Sequence, residues 1–250
     1  MDTVNNFITN LETVARNDTV AIYIPSINRD VMFKKLNAKQ HKEIITTVID
    51  NAASGITLAI VLGDIIKENA LEKINFLVTD KTYIATALRA ASLGPTLIVN
   101  EQTINLSELL KNKLPLDSTL TKQVIKEDLF TINISIPTLD KETYINRESK
   151  KKIADFAEKT LAKDTLGEVY TKALVKFIDS MSLNNQGEEG TANFDDMSAH
   201  QRAIVVDKLP LTATTKIIEY ANKVKNEETK FATLQGQLIQ LSVDQAFFTV

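Results

Sequence analysis

The chain has 250 residues, of which 44% are hydrophobic and 24% charged, with a net charge of −3 and no cysteine. That much apolar material builds a core in one large domain or two small ones, excluding wholesale disorder, and the slightly acidic balance leaves no surplus cations for a nucleic-acid face. Without thiols there are no disulfides and none of the usual structural zinc sites, so the chain is expected to fold in a reducing cytosol.

Val4, Phe7, Ile8, Leu11 and Val14 recur at helical spacing, and with Asp2 and Glu12 beside them residues 2–16 predict an amphipathic opening helix, not a signal peptide. Thr19–Ile24 and Val31–Phe33 are β-rich on either side of turn-forming residues 25–30, which predicts a hairpin whose first strand ends at Pro25. Asn37, followed by Gln40 three residues on, predicts a capped helix running to Ala53. Ile56–Asn69 reads as a second helix, and Asp80 as the cap of a third that Gly94-Pro95 stops. Thr96–Val99, Gln102–Leu106, Thr121–Lys126 and Leu129–Ile136 read as strands, the last alternating Phe130, Ile132, Ile134, Ile136.

Beyond Pro137 the spacing predicts helices over Tyr144–Leu161 and Leu166–Met181. Residues 184–193 have little to bury and predict a mobile loop. Ser198–Lys208 and Leu211–Lys225 form a helix pair broken at Leu209-Pro210, and Phe231–Leu241 a second hairpin about Gly236, followed by a tail holding Phe247-Phe248. The expected fold class is therefore α+β and mainly helical. It divides into a hairpin with three helices (1–95), a small antiparallel β insert (96–137) and a C-terminal helical region ending in a hairpin (138–250). The longest apolar stretch, Gly55–Ile66, is interrupted by Thr57, Gly63 and Asp64 and falls short of the roughly 18–20 residues a membrane span needs.

The chemistry-bearing motifs are missing together. There is no GxxxxGK[ST] or GxGxxG phosphate loop, no HExxH and no GxSxG. His41 and His200 stand alone and read as surface or boundary residues. Lys34-Lys35 and Lys150-Lys151-Lys152 read as solvated faces, and Asp195-Asp196 as capping and dipole-complementing carboxylates ahead of a helix. Arg89 lies on the polar side of an apolar helix, where it makes an ion pair, with Asp64 or Asp80, or contacts a partner. No catalytic, cofactor-binding or metal-ligating residue is assigned, and no small-molecule or nucleic-acid partner is expected.

Two blocks carry a resemblance. Ile24-Pro25-Ser26 followed by Val31–Leu36, then Thr79-Asp80-Lys81-Thr82-Tyr83-Ile84 and Leu88-Arg89-Ala90-Ala91-Ser92-Leu93-Gly94, resemble the N-terminal region of baseplate hub and hub-assembly proteins of T-even-type contractile-tail bacteriophages. In that family a "Leu-Pro-Ser" turn and a "Phe-Asp … Leu-Arg-Ala-x-Ser-x-Gly" helix stand in the same order; Thr79 replaces the usual Phe. Leu209-Pro210, the Gly236 hairpin and Phe247-Phe248 resemble the family's C-terminal end, while residues 100–190 align with nothing in it.

The resemblance implies a non-enzymatic structural or assembly subunit of the baseplate hub, made in the host cytoplasm and located in the virion tail. Its partners would be other phage tail and baseplate proteins. A transient assembly chaperone, absent from the finished particle, is the alternative, and an enzyme with an unfamiliar site the third reading. The strand edges of the first hairpin, with Ile24 and Pro25, and the Phe247-Phe248 tail are the expected docking elements, although the two aromatics could equally fold back onto the chain's own core. Deleting residues 244–250 is expected to leave a folded chain that no longer enters particles.

Overall fold

The computed structural model describes residues 4–6, 9, 18–49, 54–99, 102–157, 170–171, 173–185, 188–232, 236–241, 243 and 245–248. Of the expected opening helix, residues 4–6 and 9 are helical and the rest lies outside the described residues. Strands β1 (Thr19–Ile24) and β2 (Arg29–Lys34) pair antiparallel with Ile22 opposite Val31, so that Ile22, Ile24, Val31 and Phe33 share one buried face. Helix α1 (Ala38–Ile49) opens on the expected capping box: Gln40 N donates to Asn37 Oδ1 (2.9 Å) and Asn37 N to Gln40 Oε1 (3.2 Å).

Helix α2 (Ser54–Asn69) packs between α1 and α5 (Leu139–Ala157). The α2–α5 crossing is close because Gly63 has no side chain: a Cβ built there would lie 2.6 Å from Thr143 Oγ1, a buried hydroxyl with no hydrogen-bond partner among the described residues. Gly63→Ala is therefore expected to destabilise the chain even though alanine favours a helix interior by about 1 kcal/mol. Thr143→Ala, which removes both the obstacle and the unpaired hydroxyl, should more than restore the loss. A double-mutant cycle by urea unfolding measures the coupling.

After a 3-10 turn at Val78–Asp80 comes helix α3 (Lys81–Leu93), whose first nine residues are all buried. A helix enclosed on every side belongs at the centre of the fold, and α3 touches α2, β1, α4 (Leu106–Lys111) and α7 (Leu211–Glu228). Gly94, at φ 97°, ends it as expected. Asp80 occupies the cap position without capping through its side chain. Its carboxylate instead accepts from Ser26 N (2.9 Å), Ser26 Oγ (2.7 Å) and Leu77 N (2.9 Å), which fastens the β1–β2 turn to the start of α3.

Strands β3 (Thr96–Val99) and β4 (Gln102–Asn105) form a separate hairpin. β5 (Lys122–Lys126) and β6 (Phe130–Ser135) join β7 (Ile178–Asn185) and β8 (Glu188–Asn193) in one antiparallel sheet of order β5-β6-β7-β8, which crosses the boundary expected at 137. Ile178–Met181, read as the end of a helix, begins β7, and most of the loop expected over 184–193 is paired strand. The period is two, not 3.6: Ile125, Ile132 and Met181 line the inner face in register, while the outer face is a polar row. There Asn133 donates to Ser180 Oγ (2.9 Å), Ser182 and Thr191 bond at 3.0 Å, and Asn184 donates to Thr131 Oγ1 (3.3 Å).

Helix α6 (Ala199–Asp207) is capped by Ser198 and Gln201, not by the two aspartates before it. After α7, β9 (Lys230–Ala232) and β10 (Leu238–Gln240) make the expected hairpin about Gly236 (φ 79°), and the short helix α8 (Gln245–Phe248) returns to pack against α1. No helix among the described residues is long and apolar enough to cross a membrane.

Candidate functional site

The four residues named as docking elements are placed unequally. Ile24, Phe247 and Phe248 are 0%, 2% and 1% exposed, inside the chain's own core, and only Pro25 is partly open. Of the two dispositions the tail could take, the structure has the folded-back one. Arg89 accounts for it: Nε donates to Phe247 O (2.7 Å), one terminal nitrogen to Gly94 O (2.6 Å), and the guanidinium stands 5.9 Å from the Phe247 ring centre. His41 Nε2 lies 3.0 Å from Phe248 O. A helix leaves its last carbonyls unpaired, and here two side chains take up those of α8. Among the described residues Arg89 makes no ion pair with Asp64 or Asp80: Asp64 bonds Arg147 (2.5 Å) and Asp80 is spent on Ser26 and Leu77.

A second buried polar cluster went unforeseen. Glu142 of α5 accepts from Lys81 (2.6 Å) and Lys176 (2.9 Å), and Lys81 also meets Glu228 at the end of α7 (3.1 Å). Burial alone would raise the Glu142 carboxyl; Lys81 and Lys176 outweigh it and hold the group down at about 2. Burial alone would lower Lys81, yet Glu228 and Glu142 keep it above the ordinary lysine range. The network ties three helices together, and every charge in it is matched.

An opening of about 460 Å³ lies between the end of β6, the start of α5 and the turn before α6. Lys141 Nζ stands there 3.1 Å from Ile178 O, 3.2 Å from Asp195 and 3.7 Å from Asp179, so its donors are committed, and Arg202 donates to Asp195 O (3.1 Å). The opening thus holds two exposed carboxylates, the engaged Lys141, and Arg202, whose buried Nε has no hydrogen-bond partner among the described residues, while the strongly shifted pair Lys81–Glu142 does not line it. Among the described residues no group of three His, Asp or Glu side chains could hold a metal ion.

The remaining feature is a strand edge. Lys35 N donates to Asp18 O (3.0 Å), which sets the alternation along the hairpin. Asp18, Val20, Ile22 and Ile24 turn their main-chain groups toward β2, and Thr19, Ala21, Tyr23 and Pro25 turn theirs away. The outer edge of β2 is covered, since Met32 O accepts from Leu71 N (2.9 Å). On β1 the cover stops at Pro25, whose carbonyl accepts from Leu116 N (3.1 Å). Among the described residues nothing meets the outward main-chain groups of Thr19, Ala21 and Tyr23. Ala21 and Tyr23 line an open trough of about 260 Å³, lined also by Tyr83, Ala87, Ala90 and Ala91 of α3 and by Ser107 and Leu110 of α4. Lys113, 2.6 and 2.8 Å from the two Asp30 oxygens and 5.3 Å from the Tyr23 ring centre, stands at the same trough. Amide hydrogen exchange should show this directly: Val20 and Ile22 slow, Ala21 between them fast. Equal protection of all three would mean that the edge is covered.

No family model, curated protein or solved structure matches this chain.

Proposed function

We propose that the chain is a structural or assembly subunit of the baseplate hub of a contractile-tail bacteriophage and works by binding other tail and baseplate proteins. The observation that carries the binding part is the open edge of β1. Unpaired strand edges are templates for a further chain and are ordinarily covered or charged; this one opens onto a trough with an alanine floor. Catalysis has less support, because the strongly shifted Lys81–Glu142 pair does not line the 460 Å³ opening.

The hub part rests on the resemblance, and the geometry gives its residues a common task. Ser26, of the first block, is bonded to Asp80, of the second. Arg89, of the second block, is bonded to Phe247, at the far end. Segments distant in the chain are thus joined by the residues that carry the likeness. Quantitative mass spectrometry of purified phage particles and of their tail-assembly intermediates tests the proposal. Stoichiometric presence in particles is expected of a structural subunit, and presence in intermediates alone of an assembly factor. A chain found in neither is not a hub protein.

A further inference from the structure

We infer that the trough beside β1 receives one extended, uncharged segment of a partner protein, with small side chains at alternate positions, as a third strand of the hairpin sheet. The inference rests on the protein-binding reading above and deepens it by naming the occupant. Outward main-chain groups recur at every second residue from Thr19 to Tyr23, and only an extended chain presents donors and acceptors with that repeat. Leu116 N already bonds this edge at Pro25 O, and the next outward positions lie along the same line.

The walls select among extended segments. Side chains of a strand alternate between faces, and those turned toward α3 meet Ala87, Ala90 and Ala91, which leave depth for Ala, Ser or Val in a trough of about 260 Å³. Charge decides against an acidic or basic segment. Among the described residues the ionic groups lining the trough are Lys113 and Asp30, which neutralise each other at 2.6 Å, and a charged residue laid over the alanines would lose its water without gaining a counter-ion. From Thr19 to Tyr23 the edge accommodates about five residues at roughly 3.3 Å each.

The test screens a display library of random nine-residue segments against the full-length chain and titrates the enriched segment as a synthetic peptide. Enrichment of uncharged segments with alternating small residues is expected. Ala21→Pro removes one outward N–H and leaves the inward ladder intact, so it should weaken the peptide at least tenfold; Ala91→Leu, which fills the floor without touching the strand, should do the same. N-methylation of the peptide at alternate residues should abolish binding in one phase and not the other. No enrichment, enrichment of charged or helical segments, or binding indifferent to both variants would overturn the inference. So would a dimer of the chain that Ala21→Pro dissolves, since the occupant would then be a second copy. The hub reading fails separately, by absence from particles and intermediates; a particle-borne chain whose β1 edge binds nothing keeps that reading and loses this one.

Discussion

Phe247→Ala and Phe248→Ala are each expected to cost the chain about 3–5 kcal/mol, the range for emptying a fully buried aromatic site. Together they would consume most of the roughly 5–15 kcal/mol that holds a typical domain folded. Removal of residues 244–250 goes further. It withdraws the Phe247 carbonyl from Arg89, a residue only 3% exposed, and an unmet buried donor costs about 1–3 kcal/mol more. The truncated chain should unfold at a much lower urea concentration than the full one, with a similar slope. An unchanged midpoint would mean that α8 is not docked in solution. The expectation that this truncation spares the fold is thereby reversed, and its failure to enter particles would reflect lost stability before lost contact.

Glu142→Gln is the other large effect. Removing one partner of a buried pair costs about 3–5 kcal/mol, because Lys81 and Lys176 keep their charges in a dry setting. Lys81 retains Glu228 at 3.1 Å, whereas Lys176 loses its carboxylate. The sign of the acid response follows from the lowered carboxyl. Glu142 titrates near 2 in the folded chain against an ordinary value of 4.5, so its contribution is complete above pH 4.5 and disappears as pH falls through about 2. A shift of that size corresponds to about 3 kcal/mol. Asp80 acts in the opposite sense: burial raises its carboxyl, despite the bonds from Ser26 and Leu77, so deprotonating it opposes folding. Unfolding free energy measured from pH 5 to pH 2 should fall steeply in the parent chain and more gently in Glu142→Gln. Parallel curves would contradict the role given to the network.

What the sequence reveals, and what it conceals, follows the range of the interactions. The first hairpin, the Asn37–Gln40 box, the Gly94 stop and the Gly236 turn are local, and each is readable because its partners lie within a few residues. The β7–β8 hairpin is hidden because Ser180, Ser182, Asn184 and Thr191 look like loop residues until the strands lie side by side, when Asn133 of β6 donates to Ser180, Asn184 donates to Thr131 of β6, and Ser182 bonds Thr191 across β7 and β8. Arg89 is visible as an unusual residue, but its acceptor lies 158 positions away. Lys81, Glu142 and Glu228 are ordinary charges in helical segments, and only the meeting of α3, α5 and α7 makes them a network. The open edge is half legible: alternation exposes a strand, yet nothing in residues 19–24 says that cover stops at Pro25.

On the proposed reading the protein acts through the β1 strand edge and not through the charge-lined 460 Å³ opening. Assembly of infectious particles with Ala21→Pro, compared in one complementation assay with Lys141→Gln and Asp195→Asn, tests it once all three chains are confirmed folded by their melting temperatures. The edge variant should lose assembly while the two opening variants retain it. Full assembly with Ala21→Pro, together with failure of Lys141→Gln and Asp195→Asn, would place the function in the opening instead.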